Sequence, residues 1–164
     1  MFNKNYFLLF FIITISSITF SYDNDKDKPI FLESNSAKWD ETSQKSTYVG
    51  NVTVTQGSIL MKGNLLIVTS KNNKIDEMLI SGDKSTYTQT TRTGKIVYGE
   101  AKKIQYDIEK STITFLDEAE LVQSNNTIKS NKIIYKTDKE NIIAGDNDGK
   151  SRVKMILEPK KNNE

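Results

Sequence analysis

Apolar and polar residues alternate along most of the chain after its first ~30 residues, and no window has the spacing of an amphipathic helix. In one segment, Ile104, Tyr106 and Ile108 alternate with lysine, glutamine and aspartate. Runs of Gly, Asn, Asp and Ser separate such segments, as turns separate antiparallel strands. The prolines, Pro29 and Pro159, lie at either end of this region, so the strands between them keep every backbone donor. The pattern predicts an all-β sandwich, roll or barrel.

One stretch of this pattern occurs twice, 67 positions apart and without a gap. Apolar, polar and turn positions stay aligned over roughly thirty residues, which chance would not produce. The matched pairs are Trp39 with Tyr106, Tyr48 with Phe115, Val52 with Ala119, Val54 with Leu121, Gln56 with Gln123, Met61 with Ile128, Leu66 with Ile133, and Val68 with Tyr135. The chain therefore uses one β-rich unit twice, and a repeat of this length is typical of stacked or rolled sheets.

The first 21 residues have the layout of a secretory signal peptide. Lys4 provides a basic start, an apolar run follows from Tyr6 to Ile15, and Thr19 and Ser21 are suitably placed for cleavage. That run is shorter than the ~20 residues that a membrane-spanning helix needs, although an uncleaved anchor stays as the alternative. The expected organisation is a signal peptide over residues 1–21, a flexible lead-in over 22–28, a β domain over 29–158 and a polar tail over 159–164.

Composition argues against catalysis. The sequence contains no histidine and no cysteine, so it lacks the usual general base, the common nucleophile systems, the commonest metal ligand and any disulfide. Without Lys4 the chain carries 22 basic and 21 acidic side chains, a net charge of +1, which gives no argument for a nucleic-acid partner. We expect neither an enzyme nor a cofactor or metal site, and no binding of nucleic acid.

One acidic cluster suggests chemistry at first. Asp117, Glu118 and Glu120 offer the paired carboxylates of a glycosidase. However, Glu118 and Glu120 alternate with Ala119 and Leu121, which puts both glutamates on the polar side of the strand pattern. A solvated turn is the better explanation of this cluster.

Aromatic residues are frequent on the predicted inner faces. They are Tyr48, Tyr87, Tyr106, Phe115 and Tyr135. One interpretation is an ordinary core, and the other is an apolar slot wide enough for acyl chains. With 36% hydrophobic residues, part of them in the leader, the chain has limited material to fill a large roll, and such rolls often enclose ligands. Both interpretations stay open at this point.

Three segments carry a family resemblance that covers nearly the whole chain after the leader. They are Pro29-Ile30-Phe31-Leu32-Glu33-Ser34, the run from Tyr48-Val49-Gly50-Asn51 to Gln56-Gly57, and Tyr98-Gly99-Glu100-Ala101 with Gln105-Tyr106. In this order they resemble the OstA-like family of periplasmic lipopolysaccharide-transport proteins. The sequence departs from the family pattern at Gly82–Ser85 and at Leu116–Ala119, both of which we expect to be turns.

The resemblance implies an open-ended antiparallel β-jellyroll, built from two similar halves, whose interior holds the acyl chains of lipid A. It also implies protomers that stack head to tail into a bridge across the periplasm. The implied partners are lipopolysaccharide and the inner-membrane-anchored and outer-membrane components of the transport machinery. Together with the inward parity of the strands, it predicts the lipid-binding residues Ile30, Leu32, Val52, Val54, Leu66, Val68, Tyr87, Tyr106, Ile108 and Phe115.

Unpaired strands at the two ends would be docking edges in such a bridge. We expect these edges at Ile30 to Glu33 and at Val153 to Leu157, and we expect Lys74 and Lys84 to meet lipid phosphates. Two alternatives remain from the sequence. One is the membrane-anchored OstA-like partner of the same transport line, and the other is a structural surface β-protein with a filled core.

Overall fold

The computed structural model describes residues 24–146, 149 and 151–159, and within them ten strands form one antiparallel sheet. The leader lies outside the described residues, as do residues 160–164. The strands are β1 Ile30–Glu33, β2 Ser36–Asp40, β3 Lys45–Gln56, β4 Ile59–Lys71, β5 Lys74–Thr90, β6 Ile96–Asp107, β7 Thr112–Gln123, β8 Asn126–Lys136, β9 Asn141–Ala144 and β10 Lys154–Ile156.

The long strands follow one another in chain order from β3 to β8, and each pairs with its predecessor. At one edge, β1 and β2 pair with different halves of β3. At the other edge, β9 and β10 pair with different halves of β8. The sheet is therefore open at both edges, which confirms the predicted open-ended antiparallel roll.

Each long strand bends near its middle, because the pairing register shifts there by an extra residue or more. The bends divide the sheet into two layers that face each other. The β1/β10 layer contains residues 30–33, 52–63, 85–101, 119–130 and 154–156, and the β2/β9 layer contains residues 36–49, 65–81, 103–116 and 132–144.

The core lies between the two layers and is built from alternate residues of the long strands, as the period of two predicts. The ring of Phe115 packs edge-on against Tyr87 of the opposite layer, with 5.6 Å between ring centroids. Tyr135 approaches the same Tyr87 ring at 6.3 Å. Such edge-to-face pairs add to the free energy gained by burying the rings. The aromatic contacts therefore join the two layers.

The 67-residue repeat is confirmed as a repeat of structure. β3 and β7 begin and end at equivalent positions, and β4 and β8 begin at equivalent positions. The bends match as well: Gly50 and Asn51 have φ of 82° and 47°, and Asp117 and Glu118 have φ of 65° and 55°. The roll is thus built from two similar halves, as expected.

The prediction of turns at Gly82–Ser85 and Leu116–Ala119 is wrong. Both segments are register shifts inside a strand, β5 and β7 respectively. At the second one, two consecutive residues in the left-handed region make the bend, and ion pairs of Lys103 with Asp117, at 3.2 Å, and of Lys102 with Glu118 bridge it. Glutamate rarely adopts positive φ, although aspartate tolerates it, so the residue types alone did not indicate a bulge.

The C-terminal segment lies at an edge of the sheet, as expected, but forms a shorter strand than residues 153–157. Val153, Met155 and Leu157 continue the alternation in the sequence, but β10 has only three residues and each is exposed. β10 is the outermost strand of its layer, so it has a neighbouring strand, β8, on one side only.

Gly99 shows why the Tyr98-Gly99-Glu100 segment contains glycine. A Cβ at this position would lie 2.4 Å from Cε1 of Phe115 in the opposite layer. We predict that Gly99→Ala lowers the free energy of unfolding by about 1–3 kcal/mol through overpacking, measured by urea denaturation.

Gly82→Ala is the matched control, since its Cβ would meet no recorded atom closer than 3.4 Å. The control is expected to stay within about 0.5 kcal/mol of wild type. Phe115→Leu should be less destabilising in the Gly99→Ala background than alone. Equal effects of Gly99→Ala and Gly82→Ala would contradict the proposed contact between layers.

Candidate functional site

The structure brings all ten sequence-predicted site residues to the space between the layers. Seven are buried, with at most 2% of each side chain exposed: Val52, Val54, Leu66, Val68, Tyr87, Tyr106 and Phe115. Ile30, Leu32 and Ile108 are partly buried and pack against these residues. Ile30 and Leu32 lie in the edge strand β1, and Ile108 follows the end of β6. The binding role of these residues stays a prediction.

Several residues of the interior were not among the predicted site residues. Met78 and Ile80 of β5 are fully buried and occupy the same inner face. Polar residues were missed for a different reason. The buried polar residues of the interior include Ser46, Gln56, Ser85, Gln89 and Ser130, and a search for apolar alternation passes over them. Their position on the same side of the strands as Val54 and Tyr87 was the only feature of the sequence that could have placed them in the interior.

Three tyrosine hydroxyls lie within this apolar space. The Tyr87 hydroxyl donates to Oε1 of Gln89 at 2.8 Å. The hydroxyls of Tyr106 and Tyr135 have no hydrogen-bond partner among the described residues. A buried hydroxyl without a partner is unfavourable, so the interior holds two donors that a ligand or a water molecule could satisfy.

Burial makes these phenols still harder to ionise than an ordinary tyrosine. It raises the pKa of Tyr87 well above its usual value, and the neighbouring Tyr135 and Tyr106 rings add to the rise. Burial raises the pKa of Tyr135 to about 12. Burial likewise raises the pKa of Tyr106, with further contributions from the carboxylates of Asp25 and Asp27. At neutral pH the three side chains are therefore hydrogen-bond donors and not anions.

The apolar interior extends to both edges and is uncovered there. Trp39 pairs with the buried Ser46, so it belongs to the inner face, yet 60% of it is exposed. At the other edge, Met155 pairs with the buried Ile128 and is 54% exposed. Each residue lies in an edge strand with a neighbour on one side only. The inner face thus ends in exposed apolar side chains at both edges.

The outer faces carry compensated charge. Lys84 pairs with Glu100 at 2.6 Å, and Lys129 pairs with Glu120 at 2.7 Å. The hydrogen bond that the Lys84 ammonium donates to the Glu100 carboxylate raises the pKa of Lys84. Of the two lysines expected to meet lipid phosphates, Lys84 is thus engaged with a carboxylate, while Lys74 lines a surface depression beside Lys71.

The described part of the chain contains no cluster of three acidic side chains positioned to hold a metal ion. The described residues also include no helix that is long and apolar enough to cross a membrane. The site that the geometry offers is therefore the apolar interior, with its tyrosine hydroxyls and its two uncovered edges.

Comparison with known families agrees with this geometry. The family model described as "LptA/(LptD N-terminal domain) LPS transport protein" matches residues 32–141. The chain belongs to this LptA/LptD N-terminal family. The match confirms the OstA-like resemblance, and it covers every strand from β2 to β8.

Curated relatives of this LptA/LptD N-terminal family member extend over most of its length. The lipopolysaccharide export system protein LptA of Haemophilus influenzae is 34% identical over 160 residues, covering 96% of this chain and 92% of the relative. The protein LptH of Pseudomonas aeruginosa is 31% identical, covering 89% and 88%. LptA of Escherichia coli K12 is 31% identical, covering 90% and 80%.

A solved structure supports the same assignment. The crystal structure of Pseudomonas aeruginosa LptH, titled the LptA homologous periplasmic component of the conserved lipopolysaccharide transport device, superposes with a TM-score of 0.76 at 27% identity. The superposition covers 82% of this chain and 99% of the LptH chain. The open two-layer roll is therefore the architecture that the family shares with this chain.

The Tyr87 hydroxyl has a hydrogen-bond partner and the Tyr106 hydroxyl has none recorded. We therefore predict that removing each of them changes the free energy of unfolding differently. Tyr87→Phe deletes the donor to Gln89 and leaves a buried amide oxygen without it, so the free energy of unfolding should fall by about 1 kcal/mol. Tyr106→Phe removes a hydroxyl that has no recorded partner, so stability should stay unchanged or rise by up to about 1–2 kcal/mol.

Urea denaturation of both variants at neutral pH measures the difference, and Tyr48→Phe, on a partly exposed ring, is the control. A loss of stability in Tyr106→Phe as large as that in Tyr87→Phe would show that the Tyr106 hydroxyl is already satisfied.

Proposed function

We propose that this protein binds lipopolysaccharide, with the acyl chains between its two layers, and carries it across the periplasm from the inner to the outer membrane. The observation that carries this proposal is the apolar interior that reaches both edges of an open sheet. Family membership and the names of the relatives support the choice of lipopolysaccharide as the ligand.

Acyl chains need such an interior, because each methylene that leaves water gains about 0.8 kcal/mol. The sugars and phosphates of the lipid stay in water at the mouth of the roll. The inner lining already buries its own side chains, and Tyr87 touches Phe115 across the layers. Loading therefore requires the layers to move apart or the lining to repack around the lipid.

Transport of this kind needs no catalytic residue, which agrees with the composition. The periplasmic location rests on the predicted leader, whose cleavage site lies outside the described residues, and on the periplasmic relative of known structure. The partners would be the inner-membrane-anchored and outer-membrane components of the lipopolysaccharide transport machinery.

A photo-crosslinking amino acid at Tyr106 tests the ligand and the face together. Tyr106 is fully buried between the layers, whereas the adjacent Gln105 lies on the outer face and donates to Glu77 at 2.6 Å. We predict that purified residues 22–164 with the crosslinker at position 106 trap lipopolysaccharide, and that the same label at position 105 does not.

A second matched pair, Tyr87 and Thr88 on the opposite layer, should give the same contrast. Equal labelling within both pairs, or none at all, would instead favour the structural β-protein with a filled core. N-terminal sequencing of the exported protein distinguishes the membrane-anchored alternative, because an anchored form keeps the leader.

We further propose that protomers associate head to tail. The β1 and β2 edges of one protomer would continue the same two layers as the β10 and β9 edges of the next. Such stacking would cover Trp39 and Met155, the inner-face residues left exposed at the edges, and would join the interiors into one groove. A contact between two different surfaces does not close on itself, so it forms open filaments.

Complementation tests this arrangement. Trp39→Lys should disable the β1/β2 edge and Met155→Lys the β9/β10 edge, because a charged side chain blocks an apolar docking edge. Each variant alone should sediment as a monomer at concentrations where the wild type forms filaments. Their mixture should form heterodimers through the two intact edges, detected by analytical ultracentrifugation.

A symmetric interface between like edges gives the opposite pattern. In that case one of the two variants would still self-associate, and mixing would add nothing. Thr55→Lys, on the outer face next to β1, is the control for added charge and should leave the filaments intact.

A further inference from the structure

The mouth of the roll lies between two rows of hairpins. The hairpins of the β1/β10 layer are at residues 57–58, 91–95 and 124–125, and those of the β2/β9 layer are at residues 41–44, 72–73, 108–111 and 137–140. Near the C-terminal edge the rows touch directly, since Arg92 donates to the backbone carbonyl of Asp138 at 2.8 Å. The mouth is therefore the line along which the layers would separate.

Residues 24–28 cross this mouth and are here called the strap. The lead-in expected to be flexible is, from residue 24 onward, a 3-10 turn over Asp25–Asp27. Its first part contacts the end of the β1/β10 layer through Asp25 and Ser58. Lys26 and Asp27 line a depression together with Ile108 and the β4–β5 hairpin of the other layer. The strap thus spans the two layers.

Asp25 is the principal side-chain anchor of the strap. Its carboxylate accepts hydrogen bonds from the backbone N–H of Ser58 at 2.7 Å, from the Ser58 hydroxyl at 2.8 Å and from Nε2 of Gln89 at 2.7 Å. Gly57 leaves room for it, since a Cβ there would lie 2.3 Å from Oδ1 of Asp25. The strap is therefore seated in a site shaped for it.

Buried amides hold the rest of the strap. Gln56 is 2% exposed, and its Nε2 donates to the backbone carbonyls of Lys26 and Lys28, each at 3.0 Å. Gln89 is 4% exposed and links Asp25 to the Tyr87 hydroxyl inside the roll. A polar amide in an apolar interior needs such partners, and the strap supplies them for Nε2 of both glutamines, while Oε1 of Gln56 has none among the described residues.

These side-chain hydrogen bonds hold the strap, which takes no part in the pairing of the strands. No residue of its turn is buried, and it belongs to none of the paired strands. It can leave the mouth without breaking a sheet hydrogen bond. Departure would uncover Gln56 and Gln89 at the point where acyl chains would pass between the layers.

We infer that the strap is a built-in stopper, held by Asp25, which closes the mouth of the empty roll and is displaced when an acyl chain enters. The inference rests on the proposed lipid-binding function. Release of the strap is then a step in lipid loading. The strength of the Asp25 hydrogen bonds should therefore control the rate at which lipid associates.

A reversible disulfide tests the stopper within one protein. The chain has no native cysteine, and the side chains of Asp25 and Ser58 meet at 2.8 Å, so Asp25→Cys/Ser58→Cys carries the only thiols. Oxidation locks the strap, and reduction frees it without its carboxylate. The association rate of fluorescent lipopolysaccharide should be at least about tenfold higher for the reduced form, which corresponds to ~1.4 kcal/mol, with wild type between the two.

Single substitutions give a matched comparison that does not depend on disulfide formation. Asp25→Ala removes the anchor and should speed lipid association several-fold. Asp27→Ala removes the same charge from the same turn but none of the hydrogen bonds to Ser58 and Gln89, and should bind like wild type. Thermal unfolding of both variants checks that the sheet is intact.

The outcomes separate the stopper from the function on which it rests. Normal lipid binding by wild type with equal association rates for the oxidised and reduced forms, or for Asp25→Ala and Asp27→Ala, overturns the stopper and leaves the transport proposal standing. Failure of every form, wild type included, to bind lipopolysaccharide overturns both.

Discussion

The edge-on contact of Phe115 with Tyr87 fixes the distance between the two layers of the sheet. A sheet of this length would expose its apolar inner face if it stayed flat, and the matched bulges in the long strands let that face fold onto itself. Gly99 lets the Phe115 ring come close. The bends, the glycine and the aromatic pair therefore all contribute to burying the single apolar face of the sheet against itself.

Folding the sheet onto itself buries its apolar face, but it leaves the strands at its two edges without a neighbour on their outer side. Trp39 and Tyr106 occupy the same position of the repeat, yet Trp39 is 60% exposed and Tyr106 is fully buried. The difference comes from topology, because β6 has strands on both sides and β2 has one. Repetition of a sequence unit thus leaves its terminal copies incomplete, and this incompleteness is the basis of the proposed head-to-tail association.

Alternation and the repeat predicted the strands and the inward orientation of the ten proposed site residues, because these depend on the period of two along each strand. The open roll was predicted only through the family resemblance. The bulge at Asp117 and Glu118 was not predicted from these residues, since glutamate rarely adopts positive φ even though aspartate tolerates it. The strap was missed because its charged sequence has no periodicity. Its order comes from Gln56 and Gln89, residues distant in sequence.

The same side chains that would line a lipid groove form the core of the empty protein, and this equivalence bears on how loading is controlled. The apolar lining of the protein is out of water both when the layers pack on each other and when they pack on acyl chains, so burial of the lining itself contributes little to the difference between the two states. The acyl chains gain by leaving water, and the polar groups at the mouth also differ between the states. The empty state satisfies Asp25, Gln89 and Nε2 of Gln56 through the strap, while Oε1 of Gln56 and the hydroxyls of Tyr106 and Tyr135 lack partners among the described residues. In the proposed stopper, these hydrogen bonds at the mouth set the cost of opening the empty roll against the gain from burying acyl chains.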